Sequence, residues 1–174
     1  KRNNIPGITG IDTRSVTKRL RTKGCMLGKL VVADQNVEWD DPNQRNLVAE
    51  VSIQKPRWYY AEGDKKVLVA DFGVKNNIIR SLVGRGINVL RVPWNYDWVG
   101  EDVDGVLLSN GPGDPKMCTK AIEVICDGFE SGLPIFGICL GNQLLALAAG
   151  GDTYKLKYGH RSQNQPCIQV GSKR

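Results

Sequence analysis

Cys139 stands between two glycines in FGICLG, residues 136–141, after a short apolar run and before a good helix former. G-x-C-x-G between a strand and a helix has the form of a nucleophile elbow with Cys in place of Ser. Such a turn holds its nucleophile in a strained backbone conformation. It needs glycine at positions 137 and 141 because the helix returns close to the strand. The sulfur then lies near a helix N-terminus, whose partial positive charge favours an anion, and the thiolate is the nucleophilic form. A small thiol buried in a tightly turned core gives the same pattern, so the spacing alone leaves both readings open.

A second loop could serve the same chemistry. NGPGDP, residues 110–115, places glycines on either side of a proline, a stiff loop with exposed backbone N–H groups. It could supply one donor to an oxyanion, with the N–H of Leu140, just after the nucleophile, as the other. The plain alternative is a turn after a strand, for which Asn-Gly and Gly-Asp-Pro are ordinary material. A thiolate also needs a base to carry its proton. The single histidine, His160 in YGHRSQNQP, lies 21 residues past Cys139, and no H-x-E pair occurs. A lone histidine is more often structural, so the residues themselves present a nucleophile and an oxyanion site without a convincing base.

The elements that must position these loops follow from periodicity. From Lys66 onward, apolar strand patterns (VLVADFG, INVLRVPW, GVLLSNGPGDP, LPIFGIC) alternate with helical ones. VKNNIIRSLVGRG carries Ile78, Ile79, Leu82 and Val83 at helical spacing, with Gly86 as a stop. TKAIEVICDGFESG carries a stripe of Ala121, Ile122, Ile125 and Phe129, and GNQLLALAAGG reads as a short helix. This alternation predicts an α/β fold, a mostly parallel open sheet with helices on both faces. Ligands in such sheets sit at the carboxyl ends of the strands, where both suggestive loops fall. Upstream, GIDTRSVTKRLRTKG predicts a helix started by Asp12 or Thr13 and closed by Gly24, with Val16 and Leu20 on one face. MLGKLVVA is a strand candidate, and residues 34–66 read as a connector with one short helix near Leu47.

Composition narrows the class. The 174 residues are 41% apolar and 24% charged, in the range of globular domains. No apolar run is long enough to span a membrane, and KRNNIPGITG has no signal-peptide core. Five cysteines, with no C-x-x-C and one histidine, argue against a metal site and for reduced, intracellular thiols. The net charge of +6 is uneven, +5 over residues 1–66 and +1 over the rest. The basic residues recur at helical spacing without interleaved aromatics, which favours a solvated or subunit-facing helix over a nucleic-acid surface.

SNGPGDP, followed by the cysteine of FGICLGNQLLALAAG, closely resembles the class I (triad-type) glutamine amidotransferases. YGHRSQNQP and PGITGIDTRSVTKRLRTKGCMLGKL resemble the version belonging to carbamoyl-phosphate synthetase, and DPNQRNLVAEVS and VPWNYDW its eukaryotic forms. The resemblance covers nearly the whole chain. It implies that residues 1–63 are the C-terminal part of a small N-terminal domain plus a connector, and that 64–174 are an amidotransferase domain cut before its end. It implies that Cys139 attacks the amide of L-glutamine to give a thioester and ammonia. Gly111 and Leu140 would donate to the oxyanion, and Gln143 would contact the glutamine. The ammonia would pass to a separate large subunit or fused synthetase domains, which use ATP and Mg. No cofactor or metal is expected in this chain, and neither nucleic acid nor membrane as partner.

The family's base and its orienting carboxylate are a His and a Glu in a downstream motif, expected beyond Arg174. The chain is therefore expected to be a partial sequence, inactive as a glutaminase alone. Asn142 stands where the family most often has His, and Ser162 where Gly is usual. Some members run on free ammonia and lack the cysteine. The alternative is accordingly a non-catalytic scaffold of an ammonia-using synthetase, against which Cys139 and Gln143 weigh. The pathway, pyrimidine, arginine or urea, is open. The cytoplasm is the expected compartment, with the mitochondrion as the alternative.

Overall fold

The computed structural model describes residues 5–33, 35–159 and 169–172. Its contacts divide the chain into two compact units, one of residues 1–39 with 154–174 and one of residues 40–153.

In the first unit, helix α1 (Thr13–Lys23) starts where Asp12 Oδ1 accepts the Ser15 N–H at 2.9 Å and ends at Gly24, with Arg21 and Lys23 in its last turn. Both ends follow from the sequence: a side-chain acceptor for an orphan amide, and glycine where φ is +87°. Gly24 also lies against the chain at Lys157, and the Cys25 N–H donates to the Lys157 carbonyl at 3.1 Å. Val16 and Leu20 are exposed, as is the whole stretch from Met26 to Val32. That stretch forms no strand. The strand expected from MLGKLVVA fails because β-rich composition makes a strand only beside a partner, and none lies beside it among the described residues.

The second unit holds the sheet. After helix α2 (Leu47–Val51) come strand β1 (Arg57–Tyr59), β2 (Lys66–Asp71), helix α3 (Asn76–Val83) and β3 (Asn88–Pro93). Then follow β4 (Gly105–Leu108), helix α4 (Thr119–Gly128), β5 (Ile135–Gly137) and helix α5 (Leu140–Ala148). The strand order is β1-β3-β2-β4-β5; β1 is antiparallel to β3, and the other pairs are parallel. The mostly parallel sheet read from the sequence is therefore present, with one antiparallel edge strand that the sequence did not announce.

Alternate residues of the strands feed two cores. Leu68, Ala70, Leu90, Val92, Val106 and Leu108 pack with Ala121, Val124 and Ile125 of α4 and Leu140 and Leu144 of α5. Val69, Val89 and Leu107, on the other face, pack with Ile79 of α3. Helices thus cover both faces. Two details differ from the spacing argument. Val124 is buried in the α4 stripe, whereas Phe129 lies past the helix end and is exposed. Helix α3 stops at Val83, and Gly86 takes the left-handed turn (φ +77°) that follows. Val48 of α2 is buried in the first core, so the connector packs on the sheet rather than merely leading to it.

Candidate functional site

The parallel strand order reverses between β2 and β4, and in such sheets the crevice outside the carboxyl ends there is the place for a ligand. The loops leaving β2, β4 and β5 meet at that end. After β5, the Ile138 N–H still pairs with the Leu108 carbonyl at 2.9 Å, and the chain then turns abruptly at Cys139. Cys139 has φ +55° and ψ −109°. A non-glycine residue there carries strain of about 1–3 kcal/mol, which persists only where the surroundings enforce it.

Those surroundings are visible. The Gly141 N–H is shared between the carbonyls of Ser109 (3.1 Å) and Ile138 (3.0 Å). A Cβ on Gly141 would stand 2.2 Å from the Leu108 carbonyl oxygen, and one on Gly137 would stand 2.5 Å from the Asn142 amide nitrogen. Helix α5 is therefore pressed onto the end of β4, and no side chain fits at either glycine. The thiol is exposed at the N-terminal end of α5 rather than buried. An exposed Cys139 does not fit the buried-thiol reading, and Cys118 is the buried cysteine instead. It is fully buried, and burial, reinforced by Asp114, pushes its thiol up to about 11.

The Gln143 N–H donates to the Cys139 carbonyl at 3.1 Å, so Gln143 lies one helical turn from Cys139 on the same side, and it is exposed. Leu140 is the first residue of α5, where the helix itself offers no acceptor for the N–H. Its side chain is buried and reaches the other loop: a Cβ on Gly111 would stand 2.7 Å from Leu140 Cδ2 and 2.2 Å from the Phe72 carbonyl oxygen. The structure thus brings Gly111 beside Leu140. Neither N–H donates to another described residue.

Sequence reasoning missed the residues that hold the 109–112 loop. Ser109, fully buried, accepts the Phe72 N–H through Oγ at 2.9 Å. Asn110 accepts the Lys75 N–H (3.1 Å) and donates to the Gly73 carbonyl (3.1 Å). The 72–75 loop is in turn held by Asp71, also fully buried, which accepts from the amides of Ile53, Gly73 and Val74 and from Arg91. One signal was available: an aspartate ending the apolar run VLVAD is buried only with partners.

His160, Ser162 and the QNQP stretch lie outside the described residues. Among the described residues no cluster of His, Cys, Asp and Glu could hold a metal ion, and no helix is long and apolar enough to cross a membrane.

The family model for glutamine amidotransferase class-I matches residues 68–174. The chain is 50% identical to the multifunctional protein CAD of Squalus acanthias, over all of this chain and 8% of that protein. It is 46% identical to the multifunctional protein pyr1-3 of Dictyostelium discoideum, over 97% of this chain and 8% of that protein. It is 44% identical to the ammonia-type mitochondrial carbamoyl-phosphate synthase of Homo sapiens, over 97% of this chain and 11% of that protein. The chain spans about a tenth of the length of these curated relatives.

Proposed function

Because the chain belongs to the class I glutamine amidotransferases, we propose that it is the glutamine-hydrolysing part of a carbamoyl-phosphate synthetase. It takes ammonia from L-glutamine and delivers it to an ATP- and Mg-dependent synthetase, either a separate large subunit or fused domains. The observation that carries this is the exposed, strained Cys139 at the N-terminus of α5 beside the Gly111 loop.

The steps follow from the positions. Cys139 Sγ attacks the side-chain amide carbon, and the carbonyl oxygen becomes an oxyanion. The Gly111 and Leu140 N–H groups donate to that oxyanion, an arrangement that stabilises the transition state more than the substrate. Gln143, one turn along α5, contacts the bound glutamine. Collapse of the tetrahedral species expels ammonia and leaves a thioester, which water opens to glutamate. A base must take the thiol proton and return it, as the conjugate acid, to the departing nitrogen, and the described residues contain no histidine for that part. No cofactor takes part in these steps.

Relatives named as multifunctional proteins favour fused synthetase domains over a separate large subunit. Relatives named for ammonia favour the other reading, a scaffold that takes no part in glutamine chemistry. Strain retained at Cys139 speaks for the first, since a scaffold has no use for it. The cytoplasm remains the proposed compartment, with the mitochondrion as alternative because some relatives carry that word in their names. For the domains we keep 1–63 and 64–174. The family match from residue 68 supports the second, while the packing of residues 40–63 draws the compact boundary earlier, at Asp40.

The test is Cys139→Ala in the full-length protein with its synthetase. Glutamine-dependent synthesis of carbamoyl phosphate should vanish and ammonia-dependent synthesis should stay. Unchanged rates with both nitrogen sources would establish the scaffold instead.

A further inference from the structure

The Gly111 amide can serve an oxyanion only if it is aimed, and glycine has no side chain to fix its own peptide plane. The residue before it supplies the fixing. Asn110 lies half-buried between the β4 and β2 loops and uses both ends of its amide: Oδ1 accepts from the Lys75 N–H and Nδ2 donates to the Gly73 carbonyl, each at 3.1 Å. These bonds fix Asn110 to backbone two and four residues past β2. Next to it, Ser109 accepts the Phe72 N–H through Oγ and donates to the carbonyl of Asn110 itself, at 2.9 Å each. That last carbonyl belongs to the same peptide unit as the Gly111 N–H. The plane is therefore held from the Ser109 side and from the Asn110 side chain. Gly111 Cα also rests against Gly73, and the Phe72 carbonyl fills the space a Cβ would take.

The anchor beneath is rigid. Asp71 holds the Gly73 and Val74 amides with Oδ1 (3.0 and 2.8 Å), and Arg91 holds Oδ2. Arg91 is on β3, so the 72–75 loop that Asn110 grips is tied to the sheet rather than to solvent.

We propose that Asn110 is a positioning residue for glutamine hydrolysis, setting the direction of the Gly111 N–H through its two bonds to the 73–75 backbone. This rests on the glutaminase reading above. A donor that is mis-aimed still occupies the site, so glutamine binds as before and only the oxyanion is stabilised less.

The test uses Asn110→Ala and the isosteric Asn110→Asp in the full-length protein with its synthetase. Loss of a whole oxyanion donor costs about 100–1,000-fold in kcat, so a mis-aimed one is expected to cost about 10–100-fold. For Asn110→Ala, glutamine-dependent kcat should fall by that factor, KM for glutamine should stay within about twofold, and ammonia-dependent synthesis should match the parent. Asn110→Asp keeps the acceptor for Lys75 and loses the donor to Gly73. Its rate relative to the parent should rise as pH is lowered, because the neutral carboxyl regains a donor. An unchanged kcat, a loss confined to KM, or an equal loss with ammonia would overturn the proposal. Cys139→Ala run alongside separates the two failures. If it abolishes glutamine use while Asn110→Ala does nothing, only the role of Asn110 falls. If it spares glutamine use, the glutaminase reading falls first.

Discussion

Arg91 grips one oxygen of Asp71 and leaves the other to the backbone. Its Nε and Nη2 donate to Oδ2 at 3.1 and 2.7 Å, and Oδ1 takes the Gly73 and Val74 amides. The carboxylate is fully buried, and the guanidinium is 16% exposed. This pair fastens the loop after β2, which in turn carries the loop of Gly111.

Removing one partner of a buried ion pair costs about 3–5 kcal/mol, because the other charge is left without compensation. Asp71→Ala should lower the unfolding free energy by about that amount in urea titration, and should lower glutaminase activity as the 72–75 loop relaxes. A loss below about 1 kcal/mol would show that the pair is no anchor, being then no larger than an exposed salt bridge.

The elbow glycines give a second expectation. Gly141→Ala sets a methyl group 2.2 Å from the Leu108 carbonyl, which is backbone of a central strand and has little room to move. Overpacking of this kind costs about 1–3 kcal/mol and should displace α5, so both stability and glutamine use should fall. A variant with the parent's melting temperature and activity would contradict the close packing of α5 on β4.

Cys139 should trade stability for chemistry. Its φ of +55° suits glycine and strains cysteine. Cys139→Gly is expected to raise unfolding free energy by about 1 kcal/mol while abolishing glutamine hydrolysis, whereas Cys139→Ser keeps the strain and loses the activity. Calorimetry on the three proteins checks this. Equal stability of all three would mean the turn holds no strain.

Thiol chemistry should tell two cysteines apart. Cys118 is buried and its thiol is raised from an ordinary 9.0 to about 11, first by burial and then by Asp114. At pH 8 it should resist alkylation while exposed Cys139 reacts, as peptide mass spectrometry after brief iodoacetamide treatment can show. The linkage has a definite sign. The folded state keeps the Cys118 proton that the unfolded chain gives up near pH 9, so stability from this group is complete below about pH 9. It declines as pH rises toward about 11. Stability of Cys118→Ala should lack that component.

The parallel strands and their helices were legible because each is an apolar run or a 3.6-residue stripe, a property of the sequence itself. The elbow was legible because glycine spacing reports a steric need that no other residue meets. Strand β1 was not: RWY sits among prolines and charges, and only pairing with β3 makes it a strand. MLGKLVVA shows the converse, strand composition without a partner among the described residues. Phe129 failed as a core residue because α4 ends one residue earlier and the stripe does not continue. The partners of Ser109, Asn110 and Asp71 could not be read for the same reason as β1, although the aspartate ending VLVAD signalled that it needed some. All three roles depend on backbone groups brought up from loops 18 to 37 residues away in the chain.

If Cys139 is an activated thiol in a glutamine site, a glutamine-like electrophile should label it in the full-length protein, and excess glutamine should prevent the labelling, as peptide mass spectrometry of the adduct can show. No label on Cys139, in protein that still makes carbamoyl phosphate from ammonia, would contradict that reading and leave the elbow without a reaction.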